Sequence, residues 1–334
     1  MSNKNYIIIK RIKEFIELWH NYSAIYAWYN ILWWFCFYTR PSFCYKLSTY
    51  AIKKKTAWLD KYIEKKYKDI TNKYNEGDNT LNLKAITNQP NIWVFWGQGE
   101  EAMPQLVRAC YKQLTTYNSN VQLITNANIN QYIDLPPIIL EKVYKKNLSW
   151  AYYSDIVRNT ILAKYGGLWL DATVWVPCRI PIEDFMKYKF FSPSDIYTTN
   201  NRTIRFWSNI EWNWNAWCLW SNSINFPLFA YVSNMLIEIG IKEPIIPDYV
   251  TIDYLIYSAI RKFPATQEHI EKAKEIKSDK RHRLATIMNE EYNEKKYLEL
   301  TKNNYFFKLS FRAKWHERTT EGKPTFYGRL ICNI

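Results

Sequence analysis

Asp155, Arg158 and Asp171 are the residues whose chemical types and spacing best fit a reactive site. Asp155 and Arg158 stand three positions apart, so a helix would project both side chains from one face. Asp171 follows the apolar run 168–170, which predicts a short strand that ends at this carboxylate. Because open α/β sheets bind ligands at the carboxyl ends of their strands, Asp171 is expected where a nucleotide or a metal would be held. A surface ion pair between Asp155 and Arg158 is the competing interpretation.

Two glycine segments would bring the backbone close to such a ligand. Gly166 and Gly167 are adjacent in a chain with only 8 glycines, and they predict the helix end and tight turn that place Asp171. Residues 97–99, with the sequence GQG, follow an apolar run that predicts a buried strand. Their backbone amides could approach a nucleotide phosphate, although a glycine-x-glycine pattern by itself is weak evidence.

A dense patch of tryptophans and side-chain amides occupies residues 211–222. Indole faces stack on sugars and amides bind sugar hydroxyls, so the patch predicts a shelf for a donor or acceptor sugar. Core packing of Trp217 and Trp220 is the competing interpretation, and it is expected to hold for one of them. Asp248 and Asp253 precede or open an apolar helix, where helix capping is the default role.

The order of the apolar segments predicts an α/β domain with a mostly parallel sheet, because alternating strands and helices favour right-handed parallel crossovers. The predicted strands are 91–96, 121–124 and 168–170. One predicted helix has Pro104 in its first turn, and another begins at Pro136 with Asp134 as its cap. Further along, we predict a helical region at 228–263 with a break at Pro244 and Pro247, a solvated helix within 267–302 and a mixed tail at 305–334. Residues 71–90 are polar and turn-rich, which favours a domain boundary there.

Residues 1–75 form a basic, aromatic segment ahead of this domain. They hold fourteen lysines and arginines against five acidic residues, which supplies +9 of the chain's net charge of +14. Residues 20–39 carry no formal charge, but polar residues and tyrosines interrupt the apolar ones, which is unlike a membrane span. We therefore expect residues 1–70 to lie as helices on an anionic membrane surface. A helical hairpin packed on the main domain is the competing interpretation.

Composition argues against several other classes of protein. The 6 cysteines are scattered without Cys-x-x-Cys spacing, which favours a reducing compartment and argues against disulfides or a zinc site. A hydrophobic content of 48% argues against global disorder, and no signal peptide is predicted. The pI of about 9.3 and the aromatic content of 18% keep a nucleic-acid-binding protein as an alternative. No nucleic-acid-binding motif supports it, so no nucleic acid partner is expected.

The main domain resembles the capsular polysaccharide synthesis glycosyltransferases, which are relatives of the sugar transferases that carry an Asp-x-Asp motif. The resemblance rests on the segments WGQGEE at 96–101, MP at 103–104, SDIVR at 154–158 and YGGLWLDAT at 165–173. These motifs lie within 91–177, and weaker similarity continues towards the C-terminus. The resemblance implies a GT-A fold for residues 76–334, preceded by the helical arm 1–75.

The resemblance also implies roles for individual residues. Asp155 and Arg158 match residues that contact a donor nucleotide-sugar. Asp171 matches the first carboxylate of the Asp-x-Asp motif, which holds Mn²⁺ or Mg²⁺ against the diphosphate. Thr173 stands where the second carboxylate would be, so a metal would need another ligand. His316 is a candidate for that ligand, although a structural histidine is the more common case.

Further candidate residues come from weaker similarity. Lys308 belongs to a Lys-Leu-Ser segment that resembles a C-terminal family motif and could meet the diphosphate, while a solvated lysine is the alternative. Asp253 falls at about the place where a family segment borders the catalytic centre, on the acceptor side. The candidates for donor binding are Trp96, Gly97, Gln98, Gly99, Ser154, Gly167 and Trp217.

Together these features predict a retaining glycosyltransferase at the cytoplasmic face of the plasma membrane. It would move a hexose from a nucleotide donor, expected to be UDP-linked, to a lipid-linked capsular or surface polysaccharide. Catalysis would rest on positioning and electrostatic stabilisation. A non-catalytic partner subunit that binds a nucleotide-sugar is the alternative, and Thr173 is the feature that favours it.

Overall fold

The computed structural model describes residues 3–39, 44–75, 83–195, 214–263, 266, 277–278 and 280–332. The helices of this part of the chain are α1 (Asn3–Asn21), α2 (Ala24–Thr39), α3 (Cys44–Lys66), α4 (Lys68–Asn75), α5 (Gln105–Tyr117), α6 (Pro137–Tyr144), α7 (Trp150–Tyr165), α8 (Ile182–Phe185), α9 (Pro227–Lys242), α10 (Thr251–Lys262), α11 (Arg283–Ile287), α12 (Glu294–Thr301) and α13 (Phe326–Ile331). The strands are β1 (Lys84–Ala85), β2 (Ile92–Phe95), β3 (Val121–Ile124), β4 (Gly167–Leu170), β5 (Val174–Trp175), β6 (Phe190–Phe191), β7 (Ser194–Asp195), β8 (Cys218–Ser221), β9 (Ser223–Ile224), β10 (Lys277–Ser278) and β11 (Phe307–Lys308).

Five strands form the central sheet in the order β3-β2-β4-β8-β6. β2 pairs in parallel with β3 and β4, whereas β8 pairs antiparallel with β4 and β6. The sheet is therefore mixed, and the prediction of a mostly parallel sheet is not confirmed. The three predicted strands are the parallel ones. The strands β6 and β8 were missed because β6 is very short and β8 lies in the tryptophan-rich stretch interpreted as a sugar shelf.

The strands β2 and β4 are buried on both faces, which explains their continuous apolar sequences. Trp93 and Trp169 face the larger core cluster, where α7, α9 and α10 pack. Ile92, Leu168 and Leu170 face a second cluster on the opposite side of the sheet. The period of two along each strand thus divides the apolar residues between two helical layers.

Helix α7 leads into the central strand β4 through a tight turn. Ser149 caps α7, and its side chain accepts a hydrogen bond of 3.0 Å from the backbone amide of Tyr152. Gly166 ends the helix with φ of 62°, and Gly167 opens the strand with φ of 90°. A Cβ at Gly167 would lie 2.5 Å from the carbonyl oxygen of Asn91, so only glycine fits this turn. The predicted helix end and turn are confirmed.

The other predicted elements have different outcomes. The region 228–263 is helical with a break between α9 and α10, as predicted. α6 begins at Pro137 without a side-chain cap, so the proposed Asp134 cap is wrong, because Pro136 takes the capping position instead. Part of 267–302 lies outside the described residues, and the described part holds two short helices rather than one. In the tail, β11 pairs with β5 in a separate two-stranded sheet and does not join the central one.

Helices α1 to α4 form the arm that the sequence predicted to be helical. The arm packs on the segment that joins α9 to α10. The Tyr26 hydroxyl donates a hydrogen bond of 2.9 Å to the carbonyl oxygen of Pro247, and the nearly buried Lys55 forms an ion pair with Asp248. Tyr67 donates to Glu243 at 2.6 Å. The competing interpretation of a packed helical hairpin therefore holds for the inner face of the arm. Residues 76–82, which follow the predicted end of the arm, lie outside the described ranges.

The outer face of the arm exposes a row of large apolar side chains. Ile8, Ile12, Ile16 and Trp19 recur at helical spacing along α1, and each is between 50% and 57% exposed. This apolar row therefore faces away from the core. None of the helices described here combines the length and the apolar content that a membrane span requires.

Candidate active site

A cavity of about 1080 Å³ opens where the parallel strands end. Gly97 follows β2 closely and Asp171 follows β4 directly, so both reach the same edge of the sheet. The charged and titratable side chains that line the cavity are Asp155, Arg158, Asp171, Tyr249, Asp253, His282, Lys308 and Arg312. A space of this volume is sufficient for a nucleotide-sized ligand.

Asp171 is the most heavily hydrogen-bonded carboxylate of this cavity. Its Oδ1 accepts from the Arg158 guanidinium at 2.9 Å and from the Trp169 indole at 3.1 Å. Its Oδ2 accepts from the Lys308 ammonium at 2.6 Å. Burial alone would raise the pKa of Asp171, but the charges of Lys308 and Arg158 outweigh it and lower the pKa to about 2. Asp171 is therefore a permanently charged anchor for two cations.

Arg158 links the helix to the strand. Its guanidinium donates 2.9 Å hydrogen bonds to Asp155 and to Asp171, and it lies 5.3 Å from the ring centre of Trp169. The Arg158 side chain is only 6% exposed. The interpretation as a simple surface ion pair is therefore wrong: the pair exists, but it is buried in the wall of the cavity and shared with a third residue.

Lys308 reaches Asp171 from the opposite end of the chain. β11 pairs antiparallel with β5, with Lys308 opposite Val174, and the backbone amide of Leu309 donates to the carbonyl of Thr173 at 3.0 Å. This pairing places the ammonium 2.9 Å from the Thr173 hydroxyl as well as beside Asp171. The alternative of a solvated lysine is wrong, because the side chain is only 23% exposed and doubly hydrogen-bonded.

Two further carboxyl groups in the wall hold their protons unusually well. Burial raises the pKa of Asp155 to about 7 against the opposing charge of Arg158, and the nearby Asp253 and Asp171 add to the rise. Burial also raises the pKa of Asp253 to about 6, against a 3.0 Å hydrogen bond from the Trp214 indole. Perturbed carboxyl groups that share a cleft are typical of functional sites.

The structure brings most of the predicted site residues to this cavity. The lining includes five of the candidates for donor binding and all the charged candidates proposed to act on donor or acceptor. The former are Trp96, Gly97, Gln98, Ser154 and Trp217, and the latter are Asp155, Arg158, Asp171, Asp253 and Lys308. Trp220 is fully buried in the second core cluster, and Trp217 belongs to the same cluster as well as to the cavity wall, so core packing holds for both tryptophans. The start of the proposed sugar shelf, residues 211–213, lies outside the described residues.

Three predicted site residues do not line the cavity. Gly99 precedes a short 3-10 turn, and Gly167 lies inside the sheet, where its role is the turn before β4. His316 lies in an exposed segment of the tail, where its backbone amide donates a 2.9 Å hydrogen bond to Asn289. The structure therefore gives His316 a position away from Asp171.

Sequence reasoning missed several residues of the wall. Trp169 was read only as part of a strand, although its indole anchors Asp171. Phe311 and Arg312 come from the tail, and the Phe311 ring lies 5.6 Å from the Trp96 ring at a steep angle. The spacing of Arg312 four residues after Lys308 was an available signal. The spacing alone did not show that Arg312 lines the cavity, because that depends on the pairing of β11 with β5.

The residues at Asp171 do not fit the divalent cation that the Asp-x-Asp resemblance implies. Each Asp171 oxygen already accepts a hydrogen bond from a cationic side chain, and the Thr173 hydroxyl accepts one from Lys308. Within the described ranges, no group of three or more His, Cys, Asp or Glu side chains could hold a metal ion. A hydroxyl is also a weaker ligand for Mn²⁺ or Mg²⁺ than the second carboxylate of an Asp-x-Asp motif.

Comparison with models of known protein families identifies the family of the chain. The family model described as capsular polysaccharide synthesis protein matches residues 42–330, which is most of the chain. The chain therefore belongs to the capsular polysaccharide synthesis protein family. Membership gives it a role in the biosynthesis of capsular polysaccharide. Neither the curated proteins nor the solved structures give a significant match.

Proposed function

We propose that this chain is a retaining glycosyltransferase with a GT-A fold. It moves a hexose from a nucleotide-sugar, with UDP as the expected nucleotide, to a lipid-linked capsular polysaccharide acceptor. The observation that carries the proposal is the cavity at the ends of β2 and β4, where Arg158 and Lys308 converge on Asp171. A site of this kind suits an anionic diphosphate, because a guanidinium and an ammonium both donate charge-assisted hydrogen bonds to phosphate oxygens.

Transfer in this proposal breaks one bond and forms another on the same face of the donor sugar. The bond from the anomeric carbon to the diphosphate oxygen breaks, and its electron pair leaves with the diphosphate. The acceptor hydroxyl oxygen bonds to the anomeric carbon, and its proton passes to the departing diphosphate. Lys308 and Arg158 stabilise the charge that develops on that diphosphate. Asp253 also lines the cavity, and in this proposal it binds the acceptor hydroxyl.

The arm supports the lipid-linked part of the proposal. Its exposed row on α1 alternates with Lys10 and Lys13, which is the composition of a helix that lies in an anionic membrane surface. The arm also holds the segment that ends at Tyr249, a cavity-lining residue that is 77% exposed. An arm on the cytoplasmic face of the plasma membrane would therefore present the cavity mouth to a membrane-bound acceptor.

Hydrolysis of a panel of nucleotide-sugars by the purified chain tests this proposal. We expect slow release of one nucleoside diphosphate, with a rate that Arg158→Met lowers at least tenfold. Arg179→Met is the matched control, because Arg179 is exposed and pairs only with the adjacent Glu183 among the described residues. Turnover that is equal in both variants would contradict the site assignment.

A non-catalytic, donor-binding subunit remains the second candidate, and the threonine at position 173 favours it because a second carboxylate is missing. Its expected behaviour is specific: a nucleotide-sugar raises the melting temperature of the chain, yet no donor is hydrolysed and no sugar reaches a lipid-linked acceptor. Transfer to such an acceptor would rule the second candidate out.

A further inference from the structure

We propose that the Lys308 ammonium takes the place of a divalent cation at this site, so that the donor diphosphate binds to side-chain cations without a metal ion. The inference rests on the proposed donor and goes beyond it, because it assigns a metal-free binding site to a chain whose motif resembles a metal-binding one. Four observations carry it: the position of the ammonium, the occupied oxygens of Asp171, the rigidity of Lys308 and a second cation at the cavity mouth.

The position of the ammonium is the first observation. Lys308 Nζ lies 2.6 Å from Asp171 Oδ2 and 2.9 Å from the Thr173 hydroxyl. These are the first and third positions of the Asp-Ala-Thr segment, which are the two positions that a cation would bridge in an Asp-x-Asp motif. The ammonium therefore stands between the two motif side chains. A carboxylate at residue 173 would suit a metal, whereas a neutral hydroxyl suits a hydrogen bond from an ammonium.

The oxygens of Asp171 are the second observation. Oδ1 accepts from Arg158 and Trp169, and Oδ2 accepts from Lys308. A metal ion bound at either oxygen would stand beside a cationic side chain, and the like charges would repel each other. Oδ1 of the neighbouring Asp155 likewise accepts a 2.9 Å hydrogen bond from Arg158. The carboxylate thus acts as an anchor for organic cations.

The rigidity of Lys308 is the third observation. Its backbone amide donates to the carbonyl of Arg281 at 3.0 Å, and the next amide donates to Thr173 at 3.0 Å. Asp171 and Thr173 together use two of the three ammonium hydrogens. The third hydrogen has no acceptor among the described residues and is available to a phosphate oxygen. A cation fixed before the ligand arrives loses little entropy on binding.

Arg312 supplies the fourth observation. It lies four residues beyond Lys308, lines the same cavity and is exposed. Within the described part of the chain its guanidinium has no carboxylate partner, and it lies 5.6 Å from the ring centre of Phe311. Lys308 at the base and Arg312 at the mouth provide two positive charges for the two phosphates of a nucleoside diphosphate.

Calorimetric titration of the full chain with UDP tests the inference directly, with GDP, ADP and CDP titrated in parallel. We expect one of these nucleotides to bind with the same Kd, within about twofold, in EDTA and in Mn²⁺ or Mg²⁺. Lys308→Met should weaken that binding at least tenfold in EDTA, and Lys308→Arg should restore part of it. The matched control is Lys314→Met, an exposed lysine of the same tail that does not line the cavity.

A gain-of-function variant sharpens the test. Thr173→Asp combined with Lys308→Met replaces the ammonium with a second carboxylate, and we expect nucleotide binding to become dependent on Mn²⁺. Thermal melting of each variant shows that the fold is intact. Binding by the unmodified chain that requires Mn²⁺ would overturn the metal-free site but leave the proposed function standing. Failure of every nucleotide to bind in either buffer would contradict the proposed donor itself.

Discussion

Glu243 and Asp171 are two carboxylates that share a similar set of partners but occupy different surroundings. Glu243 accepts hydrogen bonds from two tyrosines of the arm and pairs with Lys66 at 2.9 Å, and its side chain is 1% exposed. Asp171 is bound by a tryptophan and two cations, and its side chain is 25% exposed at a large cavity. The same kinds of contact lie inside a closed interface at Glu243 and in the wall of an open cavity at Asp171. The difference lies in access to a ligand.

Removing Glu243 is expected to have the largest effect on stability. Glu243→Ala leaves two tyrosine hydroxyls and Lys66 without their shared partner at the base of the arm. We expect the free energy of unfolding to fall by about 3 kcal/mol, because breaking a buried ionic network leaves polar groups unpaired. Urea denaturation measures this loss. Glu141→Ala, at an exposed pair with Lys145, is the control and should cost less than about 0.5 kcal/mol.

Removing the charge of Asp171 is expected to affect turnover more than stability. Asp171→Asn keeps the shape but removes the charge beside Arg158, which retains Asp155, and beside Lys308, which is partly exposed at the cavity. We expect donor turnover to fall by about 10²- to 10³-fold, as for the loss of one preorganised electrostatic contact. Steady-state kinetics and urea denaturation of the same variant separate the two effects. A stability loss as large as that of Glu243→Ala would remove the contrast between the two carboxylates.

The carboxyl groups of the cavity should also give the protein a pH dependence. Burial raises the pKa of Asp253 to about 6 from an ordinary value of 3.8, so the unfolded chain ionises first as the pH rises. The free energy of unfolding should therefore fall between about pH 4 and pH 6, by on the order of 3 kcal/mol from this group. Asp171 changes the free energy of unfolding in the opposite direction. Its lowered pKa stabilises the folded chain above about pH 4, and this contribution is lost as the pH falls from about 4 to about 2.

Asp253→Asn tests this pH dependence, because asparagine keeps an acceptor oxygen for Trp214 but cannot ionise. Urea denaturation across that pH range should show a shallower slope for the variant, with the remainder from Asp155, whose pKa is also raised. Equal slopes for the variant and the unmodified chain would show that Asp253 ionises normally. Asp184→Asn, at an exposed position of α8, should leave the slope unchanged.

The smallest expected effect concerns the outer face of the arm. Ile12→Glu combined with Ile16→Glu places two charges in the exposed apolar row without touching the Glu243 contacts. We expect binding to vesicles that contain anionic phospholipid to weaken at least about tenfold, because two apolar side chains no longer leave water. Co-sedimentation measures the binding. Leu298→Glu, at an equally exposed site on α12, is the control, and an equal loss there would remove the special role of the row.

The sequence was most informative where neighbouring residues decide the structure. The helical spacing of Asp155 and Arg158, the glycine turn and the apolar run before Asp171 were enough to place these three residues at one sheet edge. The mixed sheet was not predictable in this way, because β6 is very short, β8 lies in the tryptophan-rich stretch, and both pair with strands that are distant in sequence. The missing cap at α6 has a local cause, since Pro136 occupies the position where Asp134 was expected to act.

The sequence by itself determined the family, the parallel core strands and the side chains of one wall of the cavity, since each depends on residues close together in the chain. Tertiary structure alone decided what Asp171 does. It brings Lys308 across 137 positions to the carboxylate through the pairing of β11 with β5, and it leaves His316 elsewhere. Long-range strand pairing depends on the packing of the whole domain. The Asp-Ala-Thr segment resembles a metal-binding motif and keeps the aspartate of that motif, yet this aspartate accepts a hydrogen bond from Lys308.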